Sequence, residues 1–164
     1  MSKQDQKRAA LVEAVVAHLL VHGLTNTGLR ALAGAARTSD RMLVYYFGSK
    51  EALLDQCLGL ISDRLTGQLD LLLREPEYAA EDLLATLLAA ASNPDFVPTI
   101  KLWFELVGLA VRGEAPYAGK AREIARRWIG WIEGKLSPAE RPLAADLFAR
   151  LEGQLMLRLL SSQP

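Results

Sequence analysis

Apolar residues recur every three or four positions along most of this chain, which is the spacing of one face of an α-helix. Gly, Pro and short polar runs interrupt this pattern and mark the ends of helices. The pattern predicts an all-α protein with helices over residues 5–22, 29–36, 40–47, 49–74, 80–92, 98–111, 116–135 and 139–161. A short turn over residues 94–97 should precede the sixth helix.

The most informative stretch covers residues 29–54. One apolar face lies within residues 29–36, and Leu43 and Phe47 form a second, with a polar break between them. Ser39, in this break, is suited to accept a hydrogen bond from a free N–H group at the start of the next helix. Two short helices joined by a tight turn form a helix-turn-helix, whose second helix can enter the major groove of DNA.

The helices divide into two predicted domains. Residues 1–50 should form a three-helix DNA-binding domain, because the first helix has too much apolar surface to stand alone and must pack across the next two. Residues 51–164 should form a second helical domain, a bundle. The long fourth helix joins the two domains, so a movement of one domain can be transmitted through it to the other.

The charge distribution distinguishes the two ends of the chain. The 164 residues have a formal net charge of zero, but residues 1–50 carry seven basic and three acidic side chains, and the remainder carries twelve and sixteen. A basic end on an acidic body suits binding of a polyanion at that end. The hydrophobic fraction of 51% argues against a disordered chain.

Cysteine content and hydropathy favour a cytoplasmic protein. Cys57 is the only cysteine, so no disulfide can form within the chain and no cysteine cluster can bind a metal. The first eight residues are polar, and no apolar run is long enough to span a bilayer. We therefore expect no signal peptide, no membrane partner and a reducing location.

The helix-turn-helix stretch resembles the TetR family of bacterial transcription regulators. The resemblance is carried by Ser39, Leu43, Tyr46 and the run from Phe47 to Leu53, with Gly23, Arg30 and Ala33 upstream, and it covers roughly residues 8–58. It implies a homodimer that binds double-stranded operator DNA and acts as a ligand-responsive repressor, released from the operator by a small-molecule effector.

Three positions depart from the family pattern. Arg37 stands where the family usually has a turn glycine, and Gly28 stands where it usually has Ser or Thr. Val44 replaces a tyrosine that contacts phosphate in many members. A second interpretation therefore stays open: an all-α interaction or apolar-ligand-binding protein with a degenerate helix-turn-helix and no operator.

The outward side of the recognition helix holds the candidate DNA contacts. Arg41 is the best candidate for reading a base, because a guanidinium group can donate two hydrogen bonds to guanine. Lys50 begins a helix, where its charge and the free N–H groups both favour a phosphate. The full candidate set is Thr27, Arg30, Asp40, Arg41, Met42, Tyr45, Tyr46 and Lys50.

An apolar cavity between helices is the usual small-molecule site in a bundle. The expected lining consists of apolar and aromatic residues of the body: Ile61, Leu65, Tyr78, Phe96, Trp103, Phe104 and Val107. Polar groups can come from Lys101, Glu105 and Arg112. Plain core packing is the alternative for each of these aromatic residues.

Two helices of the body carry more apolar surface than one small chain should cover. Apolar residues near the seventh helix fall four, three, four and three apart, as in a coiled-coil seam, and leucines repeat every four positions on the last helix. These rows are Tyr117, Ala121, Ile124, Trp128 and Trp131, and Leu147, Leu151, Leu155 and Leu159. They predict an intermolecular four-helix bundle, with intrachain core as the alternative.

Signals for catalysis are weak. The chain contains no GxSxG, no HExxH and no phosphate-binding glycine loop. His18 and His22 have a spacing compatible with a metal, but no carboxylate or cysteine completes a ligand set. We therefore expect no enzymatic activity, no catalytic residues, no cofactor and no metal.

Overall fold

Eight α-helices form the part of the chain described by a computed structural model, residues 2–25 and 27–161. They are α1 Lys3–His22, α2 Leu29–Ala35, α3 Asp40–Phe47, α4 Lys50–Leu72, α5 Ala80–Ala90, α6 Val97–Val111, α7 Tyr117–Lys135 and α8 Ala144–Ser161. Short 3₁₀ turns, Pro94–Phe96 and Arg141–Leu143, precede α6 and α8. The predicted all-α fold is confirmed. Within the described residues, no helix is both long and apolar enough to cross a bilayer.

The last helix begins later than the pattern predicted. The chain after α7 is extended, because the Tyr78 N–H donates to the Lys135 carbonyl at 2.8 Å and the Ser137 N–H donates to the Tyr78 carbonyl at 2.9 Å. A 3₁₀ turn containing Pro142 follows, and α8 starts only at Ala144. The predicted start at residue 139 was wrong because these backbone bonds to the loop before α5 compete with a helix there.

The predicted cap at Ser39 is confirmed, and Ser49 forms a second serine cap. Ser39 Oγ accepts the Met42 N–H at 3.3 Å at the start of α3, and Ser49 Oγ accepts the Ala52 N–H at 3.0 Å at the start of α4. Each cap satisfies one of the N–H groups that a helix leaves free at its first turn. Gly48, between the two helices, has a φ of 81°, a conformation that only glycine adopts readily.

Two apolar cores support the fold. The first joins α1, α2, α3 and the start of α4 to α6 and α7, with Leu32 and Leu43 from the N-terminal helices packed in the same cluster as Leu106 and Ile124. The second joins the end of α4 to α5, α7 and α8. The core under the helix-turn-helix therefore continues into the body of the protein.

The single thiol lies inside the first core. Cys57 is fully buried on α4, with its Sγ 4.0 Å from the Val12 carbonyl oxygen of α1. Burial, followed by the nearby charge of Glu13, raises the pKa of Cys57 to about 12. The side chain therefore packs as a small apolar group.

Candidate nucleic-acid interface and effector cavity

The recognition helix α3 has one buried and one exposed side. Leu43 and Phe47 lie in the core shared with α1 and α2. Arg41, Met42 and Tyr45 lie on the outside, and Tyr45 is 67% exposed. A helix with its back packed in the core and its other face in solvent has the geometry needed to enter a DNA groove.

Four cations belong to the helix-turn-helix and to the start of α4. Arg30, Arg37 and Arg41 are exposed and, within the described residues, make no ion pair or hydrogen bond through their side chains. The Lys50 ammonium lies 4.0 Å from the Glu51 carboxylate, a long contact on the surface. These charges are therefore free to meet the phosphates or bases of a nucleic acid.

The turn between α2 and α3 keeps a left-handed residue without a glycine. Arg37 has a φ of 50°, its N–H donates to the Gly34 carbonyl at 3.1 Å, and the Thr38 N–H donates to the Ala33 carbonyl at 2.9 Å. A left-handed conformation costs a non-glycine residue about 1–2 kcal/mol. Arg37 therefore makes this turn less favourable than a glycine would, but the turn still forms.

The assignment of Thr27 to DNA was wrong. Its side chain is only 5% exposed, and its hydroxyl donates to the Leu24 carbonyl at 3.0 Å and lies 3.5 Å from the Tyr117 hydroxyl. The N-cap of α2 is the next residue, Gly28, which has no side chain to accept a hydrogen bond. Thr27 therefore contributes to the buried core, although it directly precedes the N-cap of α2.

Tyr46 is only half exposed. It packs against the first core, and its ring lies edge-on to the ring of Tyr45 with centroids 5.2 Å apart. Asp40 begins α3, where a carboxylate is favoured by the partial positive charge of the helix N-terminus. Tyr45 is therefore better placed than Tyr46 to reach a ligand outside the protein.

A carboxylate of α6 holds the loop between α1 and α2. Glu105 Oε2 accepts the Leu24 N–H at 2.8 Å, and its Oε1 accepts the Thr25 N–H at 2.8 Å and the Thr25 hydroxyl at 3.1 Å. Gly23, which ends α1, has a φ of 73°, and a Cβ there would collide with the Glu105 carboxylate. We call this contact the Glu105 clamp; it fixes the N-terminal helices to the body.

An apolar cavity lies where the two cores meet, between α4, α6, α7 and α8. Its volume is about 80 Å³. The walls include three residues predicted from the sequence, Ile61, Leu65 and Trp103. The rest of the lining consists of Leu58, Ser62, Thr99, Ile100, Leu102, Leu106, Ile124, Trp128, Phe148, Leu151, Glu152 and Leu155.

Four of the predicted ligand residues do not line this cavity. Phe96 is buried in the second core, Phe104 packs against that core, and Val107 lies outside the lining. Tyr78 lies before α5, where its hydroxyl accepts the Glu75 N–H at 3.1 Å. These four residues differ from the observed lining because helical spacing does not distinguish core aromatics from cavity aromatics.

The polar groups of the cavity also differ from the prediction. Lys101 is exposed, Glu105 holds the loop, and Arg112 pairs with Glu114 at 2.8 Å. The charged group that does line the cavity is Glu152 of α8, whose Oε2 accepts the Trp103 indole N–H at 2.6 Å. The only sequence signal for Glu152 was an acidic residue next to Leu151 in the apolar row of the last helix.

The predicted dimer rows lie mostly inside their own chain. Tyr117, Ala121, Ile124, Leu147 and Leu151 are buried in the two cores, so they were wrongly assigned to a surface between chains. The remaining members are partly buried and pack against their own cores: Trp128, Trp131, Leu155 and Leu159. The intrachain alternative describes these rows better.

The opposite face of α8 carries a second row of small and apolar side chains. It consists of Ala145, Ala149, Gly153, Met156 and Leu160, which fall at helical spacing on one side of the helix. Met156 is 46% exposed and Leu160 is 66% exposed. Small residues allow a close approach of another helix, so this row is the better candidate for contact with a second copy.

The two histidines of α1 lie side by side. The rings of His18 and His22 have centroids 4.5 Å apart, and burial, together with the charge of His22, lowers the pKa of His18. Among the described residues, no three metal-ligating side chains come together.

Comparisons with known proteins agree with this geometry. Residues 11–57, which contain the helix-turn-helix, match the family described as bacterial regulatory proteins, tetR family. The chain is similar to the HTH-type transcriptional repressor NicS of Pseudomonas putida, with 32% identity over 97 residues, 57% of this chain and 46% of that protein. The matched region thus spans about half the length of this curated relative.

Two solved structures share the fold across almost the whole chain. One, from Rhodococcus sp., is described as a TetR-family transcriptional regulator, with a TM-score of 0.73, 22% identity and coverage of 98% of this chain and 90% of the other. The other, the transcriptional regulator SCO7518 from Streptomyces coelicolor A3(2), has a TM-score of 0.76, 24% identity and coverage of 97% and 90%. Residues 11–57 are thus similar to the tetR family of bacterial regulatory proteins, and the chain as a whole shares the fold of these two solved structures.

Proposed function

We propose that this protein is a homodimeric repressor that binds operator DNA through α3 of each chain and is released by a small molecule bound in the cavity. The observation that carries the proposal is the exposed side of α3. There Arg41, which has no ion-pair partner among residues 2–25 and 27–161, projects from a helix whose other side is packed on the core. That arrangement suits major-groove reading.

Phosphate binding would come from the edges of this surface. Lys50 is the first residue of α4, and its ammonium and the N–H groups of that first turn both favour an anion. Arg30 is exposed on α2, the first helix of the helix-turn-helix, and would hold the backbone of the second strand. Such contacts set the register on DNA, while Arg41 would read a base.

Dimerisation would place two recognition helices on one operator. The two helix-turn-helix domains, here called the reading heads, must lie about one turn of DNA apart, roughly 34–36 Å, to engage both half-sites. TetR regulators dimerise, and in this chain the exposed row of α8 supplies an apolar, small-residue surface for a second copy. A four-helix bundle built from α7 and α8 of two chains would bury that row.

The Glu105 clamp offers a physical route from the cavity to the reading head. Trp103 and Leu106 line the cavity, and Glu105 lies between them on α6 and holds the loop that leads into the helix-turn-helix. An effector that prefers one position of α6 would thereby prefer one position of the head. Operator affinity then changes by the difference in effector affinity between the two states.

Selection of genomic DNA fragments with the purified protein, followed by footprinting of the enriched site, tests the regulatory role. We expect a two-fold symmetric site whose half-sites lie one helical turn apart, with binding that weakens steeply as salt rises. Absence of any enriched site at low salt would contradict the proposal and favour an all-α ligand-binding or interaction protein without an operator.

The exposed row of α8 predicts the effect of an added charge on assembly. Met156→Glu should convert a dimer of about twice 18.0 kDa into monomers, because a carboxylate buried without a partner between two chains costs several kcal/mol. Sedimentation equilibrium at micromolar concentration measures the change. Gln154→Glu adds the same charge to an exposed position on another side of α8 and should remain dimeric. A dimeric Met156→Glu variant would show that another surface mediates assembly.

A further inference from the structure

One carboxylate lines an otherwise apolar cavity. Within the described part of the chain, Glu152 is the single charged lining residue, and the other polar side chains of the lining are neutral, Ser62 and Thr99. Burial raises the pKa of Glu152, because the charged carboxylate loses hydration in apolar surroundings. A ligand that brings a positive charge to this carboxylate would offset that loss.

Among the residues that the structure describes, no cationic side chain pairs with Glu152. Both arginines of α8 are engaged elsewhere: Arg150 donates to both oxygens of Glu81 at 2.7 and 2.8 Å, and Arg158 donates to the Leu88 carbonyl at 2.6 Å. Glu152 Oε2 accepts the indole N–H described above, and its Oε1 has no hydrogen-bond partner among the described residues. One oxygen of the carboxylate therefore remains available to a donor in the cavity.

The walls beside Glu152 are aromatic. Trp103, Trp128 and Phe148 all line the cavity, and the rings of Trp103 and Phe148 have centroids 6.5 Å apart at an angle of 56°. The face of an aromatic ring attracts a cation, most strongly for tryptophan. A carboxylate among aromatic rings is thus complementary to an ammonium group with apolar substituents.

We propose that the cavity binds a small organic cation, with its ammonium group beside the Glu152 carboxylate and against the rings of Trp103, Trp128 and Phe148. The inference rests on the proposed function only in regarding this ligand as the effector. A cavity of about 80 Å³ admits a compact head group and excludes extended ring systems unless the walls move.

Three probes of the same shape separate charge from size. Choline carries a trimethylammonium group, 3,3-dimethylbutan-1-ol replaces its nitrogen with carbon, and 3,3-dimethylbutanoate joins the same branched carbon group to an anion. Calorimetric titration of the full chain without DNA should show choline binding roughly tenfold or more tightly than the alcohol. The anion should bind most weakly. No binding of choline at millimolar concentration, or tighter binding of the alcohol, would overturn the proposal.

Glu152→Gln tests the carboxylate without removing the group that accepts the Trp103 bond. Choline affinity should fall roughly tenfold, to the level of the alcohol, while the affinity for the alcohol stays unchanged. Glu77→Gln removes the same charge from an exposed loop and should leave all three affinities unchanged. A choline preference that survives Glu152→Gln would overturn the proposal. If circular dichroism shows that the variant is unfolded, the ranking of the three probes on the wild-type chain decides.

Measuring operator binding with the same preparations distinguishes a failure of the cation site from a failure of the regulatory function. Choline binding through Glu152 in a protein without operator affinity would support the cation site and contradict the regulatory function. Operator binding in a protein that prefers the neutral alcohol would support the regulatory function and overturn the cation site.

Discussion

Arg41→Ala is expected to weaken operator binding by about 1–3 kcal/mol per half-site and to relax the preference at one base position. The reason is that Arg41 lies in the first turn of α3, the part of a recognition helix that reaches base edges, and its guanidinium is exposed without an ion-pair partner in the described chain. Because a dimer engages two half-sites, the loss for a full operator is about twice that range. Binding to a library of operator variants measures both quantities.

The pattern of the loss assigns the role of this arginine. Weaker binding to all sequences alike would show that Arg41 contacts phosphate, because phosphate contacts carry no base information. Unchanged affinity and preference would show that α3 does not lie in the groove. Arg74→Ala removes an exposed arginine from the loop beyond α4 and should leave operator preference unchanged. Circular dichroism confirms that each variant is folded.

Glu105→Ala is expected to lower the free energy of unfolding by about 2–4 kcal/mol. The substitution removes the acceptor for two backbone N–H groups and one hydroxyl, at Leu24 and Thr25, and hydrogen bonds to a charged group are stronger than neutral ones. The partial exposure of this loop keeps the loss below the sum of three full bonds. Urea denaturation at a fixed protein concentration measures the change.

The same variant tests the proposed route from the cavity. Once the clamp is removed, binding of an effector should change operator affinity far less than in the wild-type protein, although the effector still binds. Lys101→Ala removes an exposed charge from the same helix and should preserve both stability and response. A full effector response in the folded Glu105→Ala protein would show that the signal reaches the head by another path.

Local signals in the sequence predicted the helix-turn-helix well. Ser39 and Ser49 begin helices, Gly23 ends one with a positive φ, and Leu43 and Phe47 form the buried side of α3. Each of these features depends on a residue and its near neighbours, through a cap, a backbone conformation or the helical repeat. Such features can be read without knowing which helices meet.

The body of the protein could be predicted less well, because its surfaces depend on how helices pack. Leu151 and Trp128 have the periodicity of an apolar face, but the pattern does not say whether that face meets a core, a cavity or a second chain. Glu152 gains its importance only because α6 brings Trp103 within 2.6 Å of it. Thr27 was assigned to DNA because the sequence does not show that Tyr117, ninety residues later, packs beside it.

The buried thiol of Cys57 makes this chain convenient for site-directed labelling. A thiol reacts through its ionised form, and Cys57 is both inaccessible and almost entirely protonated at neutral pH. A maleimide or a methanethiosulfonate spin label would therefore not react with Cys57 and would attach to a cysteine introduced on the exposed side of α3. Each homodimer would then carry two labels, and the distance between them, measured by electron spin resonance, would report the separation of the two recognition helices directly.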